Sequence, residues 1–248
     1  MKSTDVVMTP IHKEGHLFIG VFLAASFALF LVAAPLGWMG LILTAWCIYF
    51  FRNPDRIIPD QEGVLVSTAD GIVCAVSEAV PPVELGMGDK PVTRITIFLS
   101  VFNVHVNRTP AKGEITAISY VPGKFLDAAA DTASEENERS LVRMMTEDGC
   151  DIAFTQVAGL VARRILNDLV QGQKVDRGDV YGLIRFGSRN DIYLDKSQEA
   201  LVKVGQTMIG GETVIAAKKA TVKKSASKKA APKKAAPKKA APKKAAKK

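Results

Sequence analysis

TRITIFLSVFNVHV, residues 93 to 106, alternates apolar and polar side chains along much of its length. A period of two sends successive side chains to opposite faces of a strand, so the stretch predicts β structure with one face buried. Its neighbours read the same way. GVLVSTADGIVCAVS (63–77) and GEITAISYVPG (113–123) are short apolar runs punctuated by turn residues. RSLVRMMTEDGCDIAFTQV (139–157) holds two strand-like runs around Asp148-Gly149, a favoured hairpin turn. VKVGQTMIGGETVIA (202–216) predicts two short strands joined through Gly210 and Gly211. Two segments differ. AGLVARRILNDL (158–169) spaces its apolar residues as a helix face with Arg163 and Arg164 opposite, and DTASEENERS (131–140) predicts a surface loop or short helix. The expected fold class is therefore α+β, mainly β, with an antiparallel strand-rich body.

The ends are of another kind. From Leu17 to Phe51 the chain is almost wholly apolar, broken by Pro35 and Gly37 into two arms. A full bilayer span takes about 20 apolar residues, so the arms predict two short membrane helices or a re-entrant hairpin. Lys2 and Lys13 precede the hairpin, Arg52 and Arg56 follow it, and its turn is uncharged, which predicts a body on the cytoplasmic side of the inner membrane. At the other end, residues 218 to 248 hold 14 lysines and no acid, so a chain of net charge +8 has a body of 8 − 14 = −6. The KKAAP repeats predict a tract without a continuous helix, suited to anionic lipid headgroups or to acting as an inert solubilising tail. Nucleic acid is not expected as a partner, because nothing in the body supports it. The organisation reads as an N-terminal flank (1–16), a membrane-anchoring helical hairpin (17–51), a body (52–217) and a Lys/Ala/Pro tail (218–248). Cys47, Cys74 and Cys150 are odd in number and far apart, which predicts free thiols and no thiolate metal site.

VDRGDVYGLIRFGSRNDIYL (175–194) breaks two strand-like runs with Gly187-Ser188, flanked by Arg185 and Arg189. Alone, that pair is an ordinary turn. Its context is more specific: YFFRNPDR (49–56), STADGIV (67–73), FLSVFNVHVNRTP (98–110), YVPGKF (120–125), QVAGLVARRI (156–165), GLIRFGSR (182–189) and the closing GETVIA (211–216) occur in one order. Together these blocks resemble the phosphatidylserine decarboxylases, in particular their short bacterial and archaeal form, and the resemblance covers the whole body.

The resemblance implies a proenzyme that cuts itself between Gly187 and Ser188. It gives a β chain of residues 1–187 and an α chain of 61 residues, 188–248, whose Ser188 becomes a pyruvoyl group. That group implies decarboxylation of phosphatidylserine through a Schiff base with no pyridoxal phosphate and no metal, yielding phosphatidylethanolamine and carbon dioxide. A serine hydroxyl needs a base. Of the three histidines His12 and His16 precede the hairpin, leaving His105 as the body's only candidate. Asp70 matches the family aspartate that orients the base. The longer members carry two histidines three residues apart; here His105 matches the first and Arg108 stands in place of the second. Whether His105 serves both steps, or Asp70 works with water or Arg108 in maturation, stays open. Gly-Ser-Thr is altered to Gly-Ser-Arg, which puts the Arg189 guanidinium forward for the substrate's phosphate or carboxylate, with Arg108 as a second candidate for binding substrate.

Two rival readings remain. Ser188, His105 and Asp70 can be written as the triad of a membrane-bound serine hydrolase, although no Gly-x-Ser-x-Gly elbow surrounds Ser188. Residues 202–216 are similar to the turn-and-strand pattern of lipoyl and biotinyl carrier domains, which suggests a membrane-tethered binding module, but no lysine stands at the tip between Met208 and Glu212. The expected partners are phosphatidylserine and the membrane, with a homodimer open.

Overall fold

The alternating stretch becomes a strand that stops where its side chains start to bond the backbone. Ser100 donates from both N and Oγ to Asn103 Oδ1 (2.8 Å each), and Asn103 N–H returns a bond to Ser100 O at 2.9 Å. This local turn splits residues 93–106 into two strands that enter different sheets. The computed structural model describes residues 9–125, 136–159, 164–185 and 188–219. In chain order these form helices α1 (Gly15–Phe30) and α2 (Ala34–Phe50), then strands β1 (Val64–Val66), β2 (Gly71–Ala79), β3 (Val92–Leu99), β4 (Val106–Arg108), β5 (Gly113–Val121), β6 (Arg139–Thr146) and β7 (Asp151–Ala158). There follow β8 (Ile165–Asn167), β9 (Lys174–Val175), β10 (Val180–Ile184), β11 (Ser188–Tyr193), β12 (Gln198–Ala200), β13 (Thr207–Met208) and β14 (Val214–Lys218).

The fold is mainly antiparallel β. One eight-stranded sheet runs β13-β2-β3-β11-β7-β6-β5-β9, and two three-stranded sheets run β4-β10-β8 and β1-β14-β12. The predicted hairpin is β6–β7, with Gly149 at φ +80° in its turn, a conformation that glycine adopts without a Cβ penalty. Ile95, Ile97, Val142, Phe154 and Ile192 of the large sheet close on Tyr181 and Ile215 of the small ones, forming the main core. Gly71 lets β2 and β3 approach, because a Cβ there would be built into the Phe98 carbonyl oxygen. Backbone cannot swing aside, so Gly71→Ala is expected to destabilise the fold by about 1–3 kcal/mol, measured by urea denaturation; an unchanged midpoint would show that the strands can separate at little cost.

One reading is corrected. The helical spacing of 158–169 does not form a helix in its described part: Ala158 ends β7 and Ile165–Asn167 pair with β10, while residues 160–163 lie outside the described residues. The two expected closing strands, β13 and β14, form on either side of Gly210 and Gly211 and enter different sheets, β13 joining β2 and β14 lying between β1 and β12. Residues 131–135 of the polar stretch and 220–248 of the tail are also outside the described residues.

The two apolar arms form the helices α1 and α2, which lie against each other. Small and hydroxylic residues line their contact: Ser26 Oγ lies 3.2 Å from Thr44 Oγ1, and a Cβ at Gly40 would meet Ser26. Large apolar side chains face outward instead, Leu31 91% and Ile42 69% exposed. At 16 and 17 residues the helices are about 24–26 Å long, and no described helix is long and apolar enough to cross a membrane. The base of the hairpin is buried in the body, where Phe50 and Phe51 join Val104, Val106 and Leu183. Each buried phenylalanine contributes roughly 1.5–3 kcal/mol.

Candidate active site

Ser188 opens β11 and pairs in register with Leu99 on one side and Ala158 on the other. It is fully buried, and its Oγ has no hydrogen-bond partner among the described residues. An unpartnered buried hydroxyl costs free energy; Thr96, Thr116 and Thr155 share that feature, and Ser188 differs from them in standing at the strand end that the His105 segment reaches. Alternation places Asn190 on the same face of the sheet as Ser188. There Asn190 Oδ1 accepts from Thr68 Oγ1 at 2.7 Å, and Asn190 Nδ2 is 3.5 Å from Tyr181 Oη. Burial drives the Tyr181 phenol strongly upward, so it stays protonated. Gln156, opposite Asn190, donates to Asn107 Oδ1 at 2.8 Å. A band of buried amides and hydroxyls therefore runs inward from Ser188.

Topology brings His105 to the same end of the sheet. The chain leaves β3 at Leu99, the register partner of Ser188, and re-enters pairing at Val106, the partner of Leu183. Residues 100–105 thus pass from the large sheet to the small one beside the end of β10, tied where Ile184 N–H donates to His105 O at 3.4 Å. The His105 ring is fully buried and stacks on Phe50 at 4.2 Å between centroids. Its Nδ1 lies 3.0 Å from Asn103 O. A carbonyl only accepts, so Nδ1 carries the proton and Nε2 the lone pair. Burial, with the Arg52 charge adding to it, lowers the imidazole pKa from 6.5 to about 4, against a smaller opposing effect from Asn103 O. The ring is a neutral base across the physiological range.

The other expected residues stand elsewhere. Asp70, in the turn before β2, accepts from Arg56 Nη2 at 3.0 and 2.9 Å and from Gly210 N–H at 2.7 Å; its hydrogen bonds go to these groups and not to His105. Arg108 donates to Gly178 O (2.9 Å), Asn53 Oδ1 (2.7 Å) and Pro54 O (3.0 Å), fastening the segment after the hairpin. Arg189 is buried on the face of β11 opposite Ser188, with Nε 2.8 Å from Asp191 Oδ1. Gly187 lies outside the described residues. The structure therefore brings His105 and Ser188 to one end of the sheet and sets the Asp70 carboxylate and both arginine side chains in bonds of their own.

The sequence reading missed the hairpin's part in this arrangement. Phe50 stacks on His105, Arg185 Nη2 bonds Glu14 Oε2 at 2.7 Å, and the Arg185 guanidinium lies 4.9 Å from the Phe18 ring centroid. The hairpin and the residue before it thus touch both His105 and Arg185. The available signal was that the apolar run passes into RNPDR with no spacer between them.

Comparison with known proteins agrees. A family model described as phosphatidylserine decarboxylase matches residues 43–216. A phosphatidylserine decarboxylase proenzyme of Cereibacter sphaeroides is 52% identical over 212 residues, 86% of this chain and 91% of that protein. Its namesakes from Ruegeria pomeroyi and Rickettsia bellii are 52% and 53% identical over 87% of this chain, covering 99% and 94% of their own lengths. With these matches spanning the hairpin base, the His105 segment and the strand of Ser188, the chain belongs to the phosphatidylserine decarboxylase family.

Proposed function

We propose that this protein is a membrane-anchored proenzyme that cuts itself between Gly187 and Ser188 and then decarboxylates phosphatidylserine to phosphatidylethanolamine. The observation that carries the reading is the buried, unpartnered Ser188 hydroxyl at the strand end reached by the His105 passage. In the first step Ser188 Oγ attacks the Gly187 carbonyl carbon and its proton passes to His105 Nε2. The C–N bond breaks, the proton goes on to the freed amine, and an ester replaces the peptide. Elimination releases residues 1–187 with a new carboxylate, and hydrolysis of the remaining dehydroalanine, with loss of ammonia, leaves a pyruvoyl cap on residues 188–248. The cap suits its surroundings, since a buried carbonyl beside Asn190 and Thr68 adds no charge to the core. When formed, it would supply a ketone able to condense with the substrate amine and to act as an electron sink for decarboxylation. Asp70 serves this site as an organising carboxylate, tying the turn before β2 to Arg56 and to the Gly210 backbone. Residues 202–216 act as a β scaffold of the carrier-domain type, without an attachment lysine.

The hairpin supports a place at the inner membrane. Its outward apolar side chains fit lipid, and the helices, shorter than the roughly 30 Å hydrocarbon layer, fit an insertion that enters and leaves by the cytoplasmic face. The body then sits at that surface, where the lysine tail can meet anionic headgroups. The test is direct. Purified protein given phosphatidylserine vesicles should release carbon dioxide and phosphatidylethanolamine in equal amounts; a fully cut protein that releases neither would end the decarboxylase reading.

A further inference from the structure

The proposed reaction needs a group that holds the substrate's anionic headgroup, and Arg56, Arg185 and Arg189 already have carboxylate partners. Arg52 does not. It follows α2 directly, its Nη1 donates to Tyr49 O at 2.6 Å and its Nη2 to Phe102 O at 2.9 Å, and its guanidinium lies 3.6 Å from the Tyr49 ring centroid. Its partners are carbonyl oxygens and a ring face, and no carboxylate among the described residues forms an ion pair with it. Burial lowers its pKa and the Arg56 charge adds to that, against Tyr49 and then Asp70, which oppose it. Tyr49 and Phe102 beside it are 47% and 63% exposed, so the group stands at an open aromatic rim. The rim lies between the hairpin's outward apolar surface and the passage that carries His105, and the Arg52 charge reaches that ring.

We propose that Arg52 binds the phosphodiester of the substrate lipid, setting the headgroup between the hairpin and His105. The inference rests on the decarboxylase reading. A lipid whose acyl chains lie along the hairpin presents its phosphate where the apolar surface ends, and a guanidinium suits a phosphate with paired N–H groups. The phosphate is favoured over the carboxylate on chemical grounds. A cation clamped on the carboxylate stabilises the charge that decarboxylation must remove, and so opposes the reaction. The phosphate is the same before and after, so a cation there strengthens binding evenly and acts on KM more than on kcat.

The test compares soluble dihexanoyl phosphatidylserine with an O-hexyl ether of serine, which keeps the amine and carboxylate but lacks phosphate. Arg52→Gln, first shown by intact mass to be cut as fully as wild type, is expected to lose about 10–100-fold in kcat/KM on the phospholipid, mainly through KM, and to act on the ether as wild type does. Arg52→Lys should recover part of the loss. Equal losses on both substrates would assign Arg52 to holding the Phe102 passage and overturn the proposal. Should the variant remain uncut, unaltered protein decides: dihexanoyl phosphatidylethanolamine, which has the phosphodiester but no carboxylate, should compete with substrate, whereas dihexanoylglycerol should not. Competition by neither, or by both equally, refutes phosphate recognition. Wild type that decarboxylates neither substrate removes the underlying reading and this inference with it.

Discussion

Ser188→Ala is expected to leave the protein as one chain of 248 residues with no decarboxylation above background, while wild type separates into chains of 187 and 61 residues. Alanine removes the atom proposed to attack the Gly187 carbonyl, and with it the proposed source of the ketone, so both activities are expected to vanish together. The fold should not suffer. The hydroxyl is buried without a described partner, and replacing an unsatisfied polar atom by hydrogen is neutral or stabilising. Intact mass spectrometry and a melting curve on the same sample therefore separate chemistry from folding: an uncut chain that melts at or above the wild-type temperature lost only its nucleophile. Cleavage that persists in the variant would move the reacting centre away from Ser188. Uncut wild type whose Ser188 reacts with a fluorophosphonate would favour the hydrolase reading.

How legible this site was depended on how local each relation is. The β6–β7 hairpin was readable because its turn and alternation lie in one stretch of sequence. The helical spacing of 158–169 failed where a distant strand intervened: Ile165, Leu166 and Asn167 pair with Ile184, Leu183 and Gly182, and sheet pairing across that separation outweighs local periodicity. The split at Ser100–Asn103 depends on side-chain bonds to a turn that alternation does not register.

Arg189 is the instructive case among the site residues. Proximity in sequence to Ser188 suggested a shared site, yet the period of two that identified the strands also sends neighbours to opposite faces, so its separation from Ser188 was available in the sequence. Asp70 was not readable in that way, because its partner Arg56 comes from the segment after the hairpin and Gly210 from the closing turn. The role of Phe50 was hidden by composition: an aromatic at the end of an apolar run reads as lipid-facing, and only the buried hairpin base turns it onto His105.

His105 carries the second large effect. Substitution by glutamine is expected to slow self-cleavage by about 100–10,000-fold, the usual contribution of a positioned base. The pH dependence should identify the group. An ordinary histidine loses its lone pair below pH 6.5, but burial and the Arg52 charge bring His105 to about 4. Cleavage of freshly synthesised proenzyme should therefore hold its rate from pH 8 down to about pH 5 and fall only on approaching pH 4. Stability follows the same titration. The unfolded chain takes up its proton near 6.5 and the folded chain near 4, so between those values the unfolded state binds more protons and stability declines as pH falls. The full difference, at 1.36 kcal/mol per pH unit, is about 3 kcal/mol, present above pH 6.5 and gone below pH 4. Phe50→Leu, which keeps an apolar neighbour but removes the stacked ring, should admit water and move the cleavage midpoint upward towards 6.5. A wild-type midpoint already at 6.5, or a glutamine variant that cuts at the normal rate, would mean that another group takes the Ser188 proton and that His105 is held in its stack for packing alone.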